Sequence, residues 1–368
     1  MKHLAPACFR AFVCAAGSCP DSCCRAGWEI VPDPETLALY DRLPGPEGER
    51  IRAGIVPGGE ALLRQDENRV CVLLDPDGLC CVQRRFGHGA LCRVCRDYPR
   101  FHREFGGLTE HGLSLSCPTA YALASAAPPA WEEWEDEAPP VLNELDPRAY
   151  LRLRDGRSAA LELLAREELP LLLRLRLLRR LAAVMQAAPE RRIRHHYELR
   201  LRRWASLPEI EKRRGKHETA PDPADREPQS PGASLPSAFH FQLRRLAERF
   251  LELEILSPAW EDALRRFSAL VETGRLPSAL PAPAAPEPYA RWLWYELYKY
   301  WLDALDDGRL LPRVDRSLAM LLLGLAMDEA LPDEGPFLRR ISREIEHCEE
   351  NLSALLERAL PIEPLLRP

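Results

Sequence analysis

From residue 148 onward apolar residues recur at every third or fourth position, a period that predicts helices with one buried face. "LRLRDGRSAALELLAREELPLLLRLRLLRRLAAVMQ" (151–186) puts Leu and Ala on one side and Arg on the other. Pro170 divides it into two helices, Pro189 closes the second, and another is expected at about 190–206. "GKHETAPDPADREPQSPGASLPSA" (215–238) has no apolar period and reads as a disordered linker. Helices resume at 239, with a Pro/Ala-rich break at 277–288. The aromatic helix "YARWLWYELYKYWLDAL" (289–305), an apolar helix at 313–331 and a last one near 335–358 complete the chain.

Residues 1–125 follow a different pattern, short and irregular. "DPETLALYDRL" (33–43) predicts a helix capped by Asp33 with Pro34 in its first turn. "RVCVLLDPDGLCCV" (69–82) reads as two extended runs around a DPDG turn, and "FHREFGGLTEHGLSLSC" (101–117) as a hairpin around Gly106-Gly107. The fold class expected is therefore mainly α. A small, irregular cysteine-rich metal-binding domain with short β-hairpins (1–125) precedes an α-helical array. That array divides into a helical segment (148–214), the linker (215–238) and a C-terminal helical domain (239–368), with an acidic, Pro-containing bridge (126–147) before it.

Composition narrows the function classes. No apolar run approaches the roughly 20 residues that span a bilayer; "LAMLLLGLAM" (318–327) is too short, and no membrane association is expected. Arg10 interrupts the N-terminal apolar stretch, so an export signal is not expected and the cytoplasm is the expected compartment. The net charge of −6 gives no bulk attraction to nucleic acid. The basic run "RRIRHHYELRLRRW" (191–204), with His195 and His196, reads as a solvated helix face.

Cysteine changes the picture most. Twelve are present, and all but Cys348 lie within the first 117 residues. In a reducing compartment such grouping points to metal rather than to disulfides. "CAAGSCPDSCCRAGW" (14–28) follows C-x4-C-x3-CC spacing, and the CxxC pair is Cys92–Cys95. Zinc sites usually carry two CxxC-type pairs, whereas uneven thiolate loops ending in Cys117-Pro118 suit iron–sulfur ligation. Spacing alone leaves both metals open. The radical-SAM triad CxxxCxxC is absent, because Ala26 stands at its third position.

"CAAGSCPDSCCRAGW", "CVLLDPDGLC", "LCRVCRDYPR" and "SLSCP", in this order, resemble the flagellin lysine-N-methylases of the FliB type, and "YELYKYWLDALDDGRLLPRV" extends the likeness more diffusely. The resemblance implies a methyltransferase that uses S-adenosylmethionine to methylate flagellin lysines, with a [4Fe-4S] cluster held by N-terminal cysteines. The cysteines that match are Cys14, Cys19, Cys23, Cys24, Cys71, Cys80, Cys95 and Cys117; Cys8, Cys81, Cys92 and Cys348 do not. Arg96, Tyr98, Pro99 and Arg100 of "CRDYPR" become residues packed around the site. One ligation pattern draws three thiolates from Cys19, Cys23, Cys24, Cys71 or Cys80 and leaves one iron open to chelate S-adenosylmethionine. The alternative is a non-catalytic zinc- or iron-chelating cysteine protein.

The remaining features have plainer readings. The chain lacks GxGxxG and a run of βα units, so a nucleotide-binding sheet of the usual methyltransferase kind is not expected. Tyr289, Trp292, Trp294, Tyr295, Tyr298, Tyr300 and Trp301 surround one helix, as in a helix buried between layers; an aromatic cage built on Tyr295 and Tyr298 is the competing idea. His88, His102 and His111 read as structural, Trp28 as a cover over the metal site, and Cys348 as an inert half-buried thiol.

Overall fold

The computed structural model describes residues 1–126, 128–139, 145–187, 238–274, 276 and 279–367. The helix expected at 190–206, the basic run and nearly all of the linker lie outside them. The fold is mainly α, and among the described residues its strands lie within the first 135 positions. Strand β1 (Lys2–Pro6) leads into α1 (Cys8–Ala11), α2 (Pro34–Asp41), α3 (Gly45–Ala53), β2 (Ile55–Val56), β3 (Leu62–Leu63), α4 (Cys81–Phe86) and α5 (Arg93–Asp97). Then follow β4 (Arg100–Phe105), β5 (Leu108–Leu113), α6 (Pro118–Ala126) and β6 (Trp131–Glu135).

The hairpin read around Gly106-Gly107 forms as β4 and β5, paired antiparallel from Arg100–Leu113 to Phe105–Leu108. It belongs to a four-stranded sheet of order β4-β5-β1-β6, in which β1 runs parallel to β5 and antiparallel to β6. The acidic bridge therefore contributes a strand. Trp134 of β6 stacks on His3 and His111, and the Arg10 guanidinium lies 4.3 Å over its ring. The expected 69–82 hairpin is reduced to one isolated bridge, Leu74–Cys80, across the DPDG turn. Beyond it Cys81 opens a helix, because Cys81 and Val82 are buried on one face against Tyr40, Ile51 and Leu73.

Besides a single turn at Ala304–Asp307, the described part of the helical array comprises α7 (Pro147–Leu164), α8 (Leu171–Ala187), α9 (Ala238–Leu251), α10 (Pro258–Glu272), α11 (Glu287–Tyr300), α12 (Leu310–Ala330), α13 (Phe337–Ile345), α14 (Glu349–Glu357) and α15 (Ile362–Leu365). One large apolar core runs through it and takes in Leu115 and Ala124 from the cysteine-rich part. Helix α12 is buried along most of its length, and Gly324 lets α13 approach it. A Cβ there would stand 2.5 Å from Leu338 Cδ2.

Helix α11 is the buried helix that its aromatic surface predicts, and its polar tips find partners. Trp292 Nε1 donates to Ser342 Oγ (3.1 Å) and Tyr298 Oη to the His111 carbonyl (2.7 Å); just beyond its end, Trp301 Nε1 donates to the Leu153 carbonyl (2.9 Å). Tyr295 and Tyr298 are themselves buried, so they form no open cage. Behind Tyr298, Arg157 of α7 makes a two-pronged ion pair with Glu110 of β5, both buried, joining sheet to helices.

Glu344 of α13 is also buried, accepting from the Leu256 amide at 2.9 Å. Burial lifts its carboxyl to about 7. The folded state thus holds a proton that the unfolded chain releases near 4.3. The resulting stabilisation is present in full below that value and is lost as pH rises through about 7. Urea titrations from pH 4.5 to 8 are expected to show a downward slope in the wild type that is shallower in Glu344→Gln. Equal slopes would contradict the buried carboxyl.

Candidate metal centre

Each cysteine-bearing segment is held by its own local device. Ser22 Oγ accepts from the Cys24 amide (3.2 Å) and caps the turn that presents Cys23 and Cys24. Asp21, beside it, forms ion pairs with Arg339 and Arg343 and ties this loop to α13. The Cys71 amide donates to the Cys24 carbonyl (2.9 Å), joining the first and second cysteine segments. Asp75 of the DPDG turn is gripped by Arg50 (2.6 Å) and Arg84 (3.0 Å), which orients Cys80. Asp33 caps α2 as its sequence predicts, and its second oxygen accepts from the Arg93 amide (2.8 Å), so the same carboxylate fixes the CRVC turn. That bond, with the Thr36 bonds, holds Asp33 down at about 2.

These segments enclose a cavity of about 120 Å³. All eight cysteines that match the family pattern line it: Cys14, Cys19, Cys23, Cys24, Cys71, Cys80, Cys95 and Cys117. Cys92, which the pattern leaves unmatched, lines it as well, as do Arg96, Tyr98, Pro99, Arg100 and His88. The other unmatched cysteines stand apart. Cys81 is packed in an apolar cluster, and the Cys8 Sγ meets the Tyr295 hydroxyl at 2.5 Å. Cys348 is fully rather than half buried, at the start of α14. Its Sγ lies 3.6 Å from Glu254 and 3.5 Å from Glu350, and burial raises its thiol to about 11. His102 and His111 belong to a chain of rings in the sheet with His3, at 2.5 and 2.8 Å.

Adjacent thiols split into donors and acceptors. Cys24 is lowered by a hydrogen bond from Cys23, and Cys92 by one from Cys95, while the donor of each pair is raised. Cys80 falls to about 6 through its bond from Cys81. Each of these bonds favours the thiolate form of its acceptor, the form that soft-metal ligation uses.

A second cavity, of about 160 Å³, shares the wall made by Cys23, Cys24, Cys71 and Cys95. Trp28 lines this one rather than the first. Gly27 turns the chain with φ +76°, and the buried indole lies with its ring centroid 3.9 Å from that of His347, the planes tilted by 36°. Behind His347 lies a polar network that the sequence did not disclose. Ser116 Oγ is 2.8 Å from His347 Nε2, 3.0 Å from the Tyr98 hydroxyl and 2.7 Å from Ser114 Oγ. Ser114 donates to Glu346 Oε2 (2.8 Å), and Lys299 Nζ is bonded to the same oxygen at 2.5 Å. The available signal was the "SLSC" segment, which carries Ser114 and Ser116; "REIEHCEE" reads only as a charged helix.

The chain is 32% identical over 124 residues to the flagellar biosynthetic protein FliU of Salmonella muenchen, a match covering 31% of this chain and 70% of FliU. It belongs to the FliU family. Two proteins named lysine-N-methylase, from Salmonella typhimurium and Salmonella choleraesuis, match at 32% identity over the same length. The match spans 30% of those two relatives. No family model matches the chain, and no solved structure does.

Proposed function

We propose that this FliU-family chain is a protein-lysine N-methyltransferase that uses S-adenosylmethionine, acts on flagellin in the cytoplasm, and holds a [4Fe-4S] cluster on its N-terminal cysteines. The observation that carries the reading is the convergence of nine cysteines from five segments on one cavity. The names of the lysine-N-methylases support the reaction class.

The donor set fits an iron–sulfur group. It is almost all thiol, and in each close pair one member is shifted toward the thiolate by the hydrogen bond it accepts. Uneven thiolate loops of this kind suit iron–sulfur ligation, whereas zinc sites usually carry two CxxC-type pairs. When bound, such a cluster supplies a Lewis-acidic iron able to chelate the amino and carboxylate groups of S-adenosylmethionine. Cys14, Cys19, Cys23, Cys24, Cys71, Cys80, Cys95 and Cys117 are the residues from which its ligands are drawn, with Cys92 beside them. Arg96, Tyr98 and Arg100 form part of the cavity wall.

Among the described residues no helix is long and apolar enough to cross a membrane. The test is methyl transfer by anaerobically prepared protein given methyl-labelled S-adenosylmethionine and flagellin. Label on flagellin lysines is expected. A cluster-loaded protein that labels no protein lysine would contradict the reading.

A further inference from the structure

The geometry points to the second cavity as the pocket for the methyl-accepting lysine side chain, with His347 as the group that takes the proton from its ammonium nitrogen. This inference rests on the methyl-transfer reading above and adds to it a substrate pocket and a catalytic residue.

Three observations carry it. First, the pocket suits an alkyl chain ending in an amine. Trp28, Ile30, Leu63 and Val94 make an apolar sleeve, and Glu29, an exposed residue of the lining, offers a carboxylate to attract a cation. Second, the inner wall is the cysteine wall shared with the metal cavity, so an amine in this pocket faces the site proposed to hold the methyl donor. Third, the network behind His347 has a direction. Glu346, fully buried and bonded to Lys299, is the terminal acceptor. Ser114 donates to Glu346, and assigning Ser116 as donor to Ser114 and His347 Nε2–H as donor to Ser116 completes one unbroken relay. That sequence of donors leaves Nδ1 as the unprotonated nitrogen of a ring that lines the cavity.

The step balances without a further reagent. One proton passes from the lysine ammonium to the imidazole. The freed lone pair attacks the sulfonium methyl, the N–C bond forms, and the C–S pair stays on sulfur. The imidazolium left behind is stabilised through two hydroxyls by Glu346. The charged and titratable groups around His347 are Glu346 and Arg343 from its own segment, Lys299 from α11 and Tyr98 beside Ser116. His347 is solvent-exposed, and an imidazole at the ordinary histidine value is largely unprotonated at pH 7.5, while the apolar sleeve depresses the amine of a bound lysine. Glu346 stays ionised: burial works to raise it, but Lys299 and the bonded hydroxyl outweigh that.

The experiment is a pH profile of flagellin methylation by the cluster-loaded protein. His347→Gln is expected to lose about a hundredfold in kcat at pH 7.5, with KM for flagellin unchanged. Its rate is expected to climb about tenfold per pH unit toward pH 10, as free lysine gives up its own proton, while the wild type stays flatter. Ser114→Ala is expected to show a smaller loss with the same steepening, and it carries the test if His347→Gln does not fold. Glu29→Gln is expected to raise KM and spare kcat. Unchanged kcat, or a loss with no steepening, would overturn the assignment of His347. A wild type that methylates no flagellin lysine would overturn the underlying methyl-transfer reading as well, so the two failures are distinguishable.

Discussion

The Cys23→Ser/Cys24→Ser double variant is expected to lose its iron–sulfur complement and, with it, methyl transfer. Both residues line both cavities, and the Cys24 carbonyl receives the amide of Cys71, so this loop lies between the two candidate sites. Cys24 also accepts the hydrogen bond of its pair, which lowers its thiol. Serine replaces a soft, readily ionised donor with a hard hydroxyl that keeps its proton at neutral pH, and iron–sulfur ligation does not tolerate the exchange well. The apolar clusters near the cavity are small, so loss of a bound cluster should also lower stability. Iron content should fall from about four per chain to below one, and the thermal transition should move down. Cys348→Ser, outside the cavity, is the matched control and should keep its iron. A double variant that keeps full iron and sulfide would remove these two residues from the ligand set.

The second large effect is expected at Arg157. Its guanidinium and the Glu110 carboxylate are both buried, and Arg157 also donates to the Tyr298 carbonyl (3.2 Å). Arg157→Leu leaves Glu110 charged and unpaired at the junction of sheet and helices. The expected cost is about 3–5 kcal/mol, read as a lower urea midpoint at unchanged slope. The partner change is informative. Glu110→Leu combined with Arg157→Leu removes both charges and should recover a large share of the loss, because the desolvation penalty disappears with them. A double variant as unstable as the single one would place the cost in packing rather than in the orphaned charge.

What could be read from the sequence follows from how local each signal is. Helices α7, α8, α12 and the aromatic α11 were legible because their apolar period is carried within the segment. The cap at Asp33 and the Gly106-Gly107 hairpin were legible for the same reason. Strands β1 and β6 were not. Their hydrogen bonds come from partners more than a hundred residues away, and "WEEWE" looks like an acidic bridge until His3 and Arg10 stack on Trp134. The cysteine constellation was legible as chemistry, since thiols at such density have few other uses, but neither Cys92 as a lining residue nor the exclusion of Cys81 followed from spacing. His347 was the largest omission. It sits in a charged run, and only the fold brings it against Trp28 and Ser116, more than two hundred residues away in the chain.

The central claim is that the cavity cysteines hold an iron–sulfur cluster. The most direct test is the absorption spectrum of anaerobically purified protein, taken with its iron, sulfide and zinc content. A brown protein with a broad band near ~400 nm and about four irons and four sulfides per chain is the result expected. A colourless protein with stoichiometric zinc and no sulfide would contradict it.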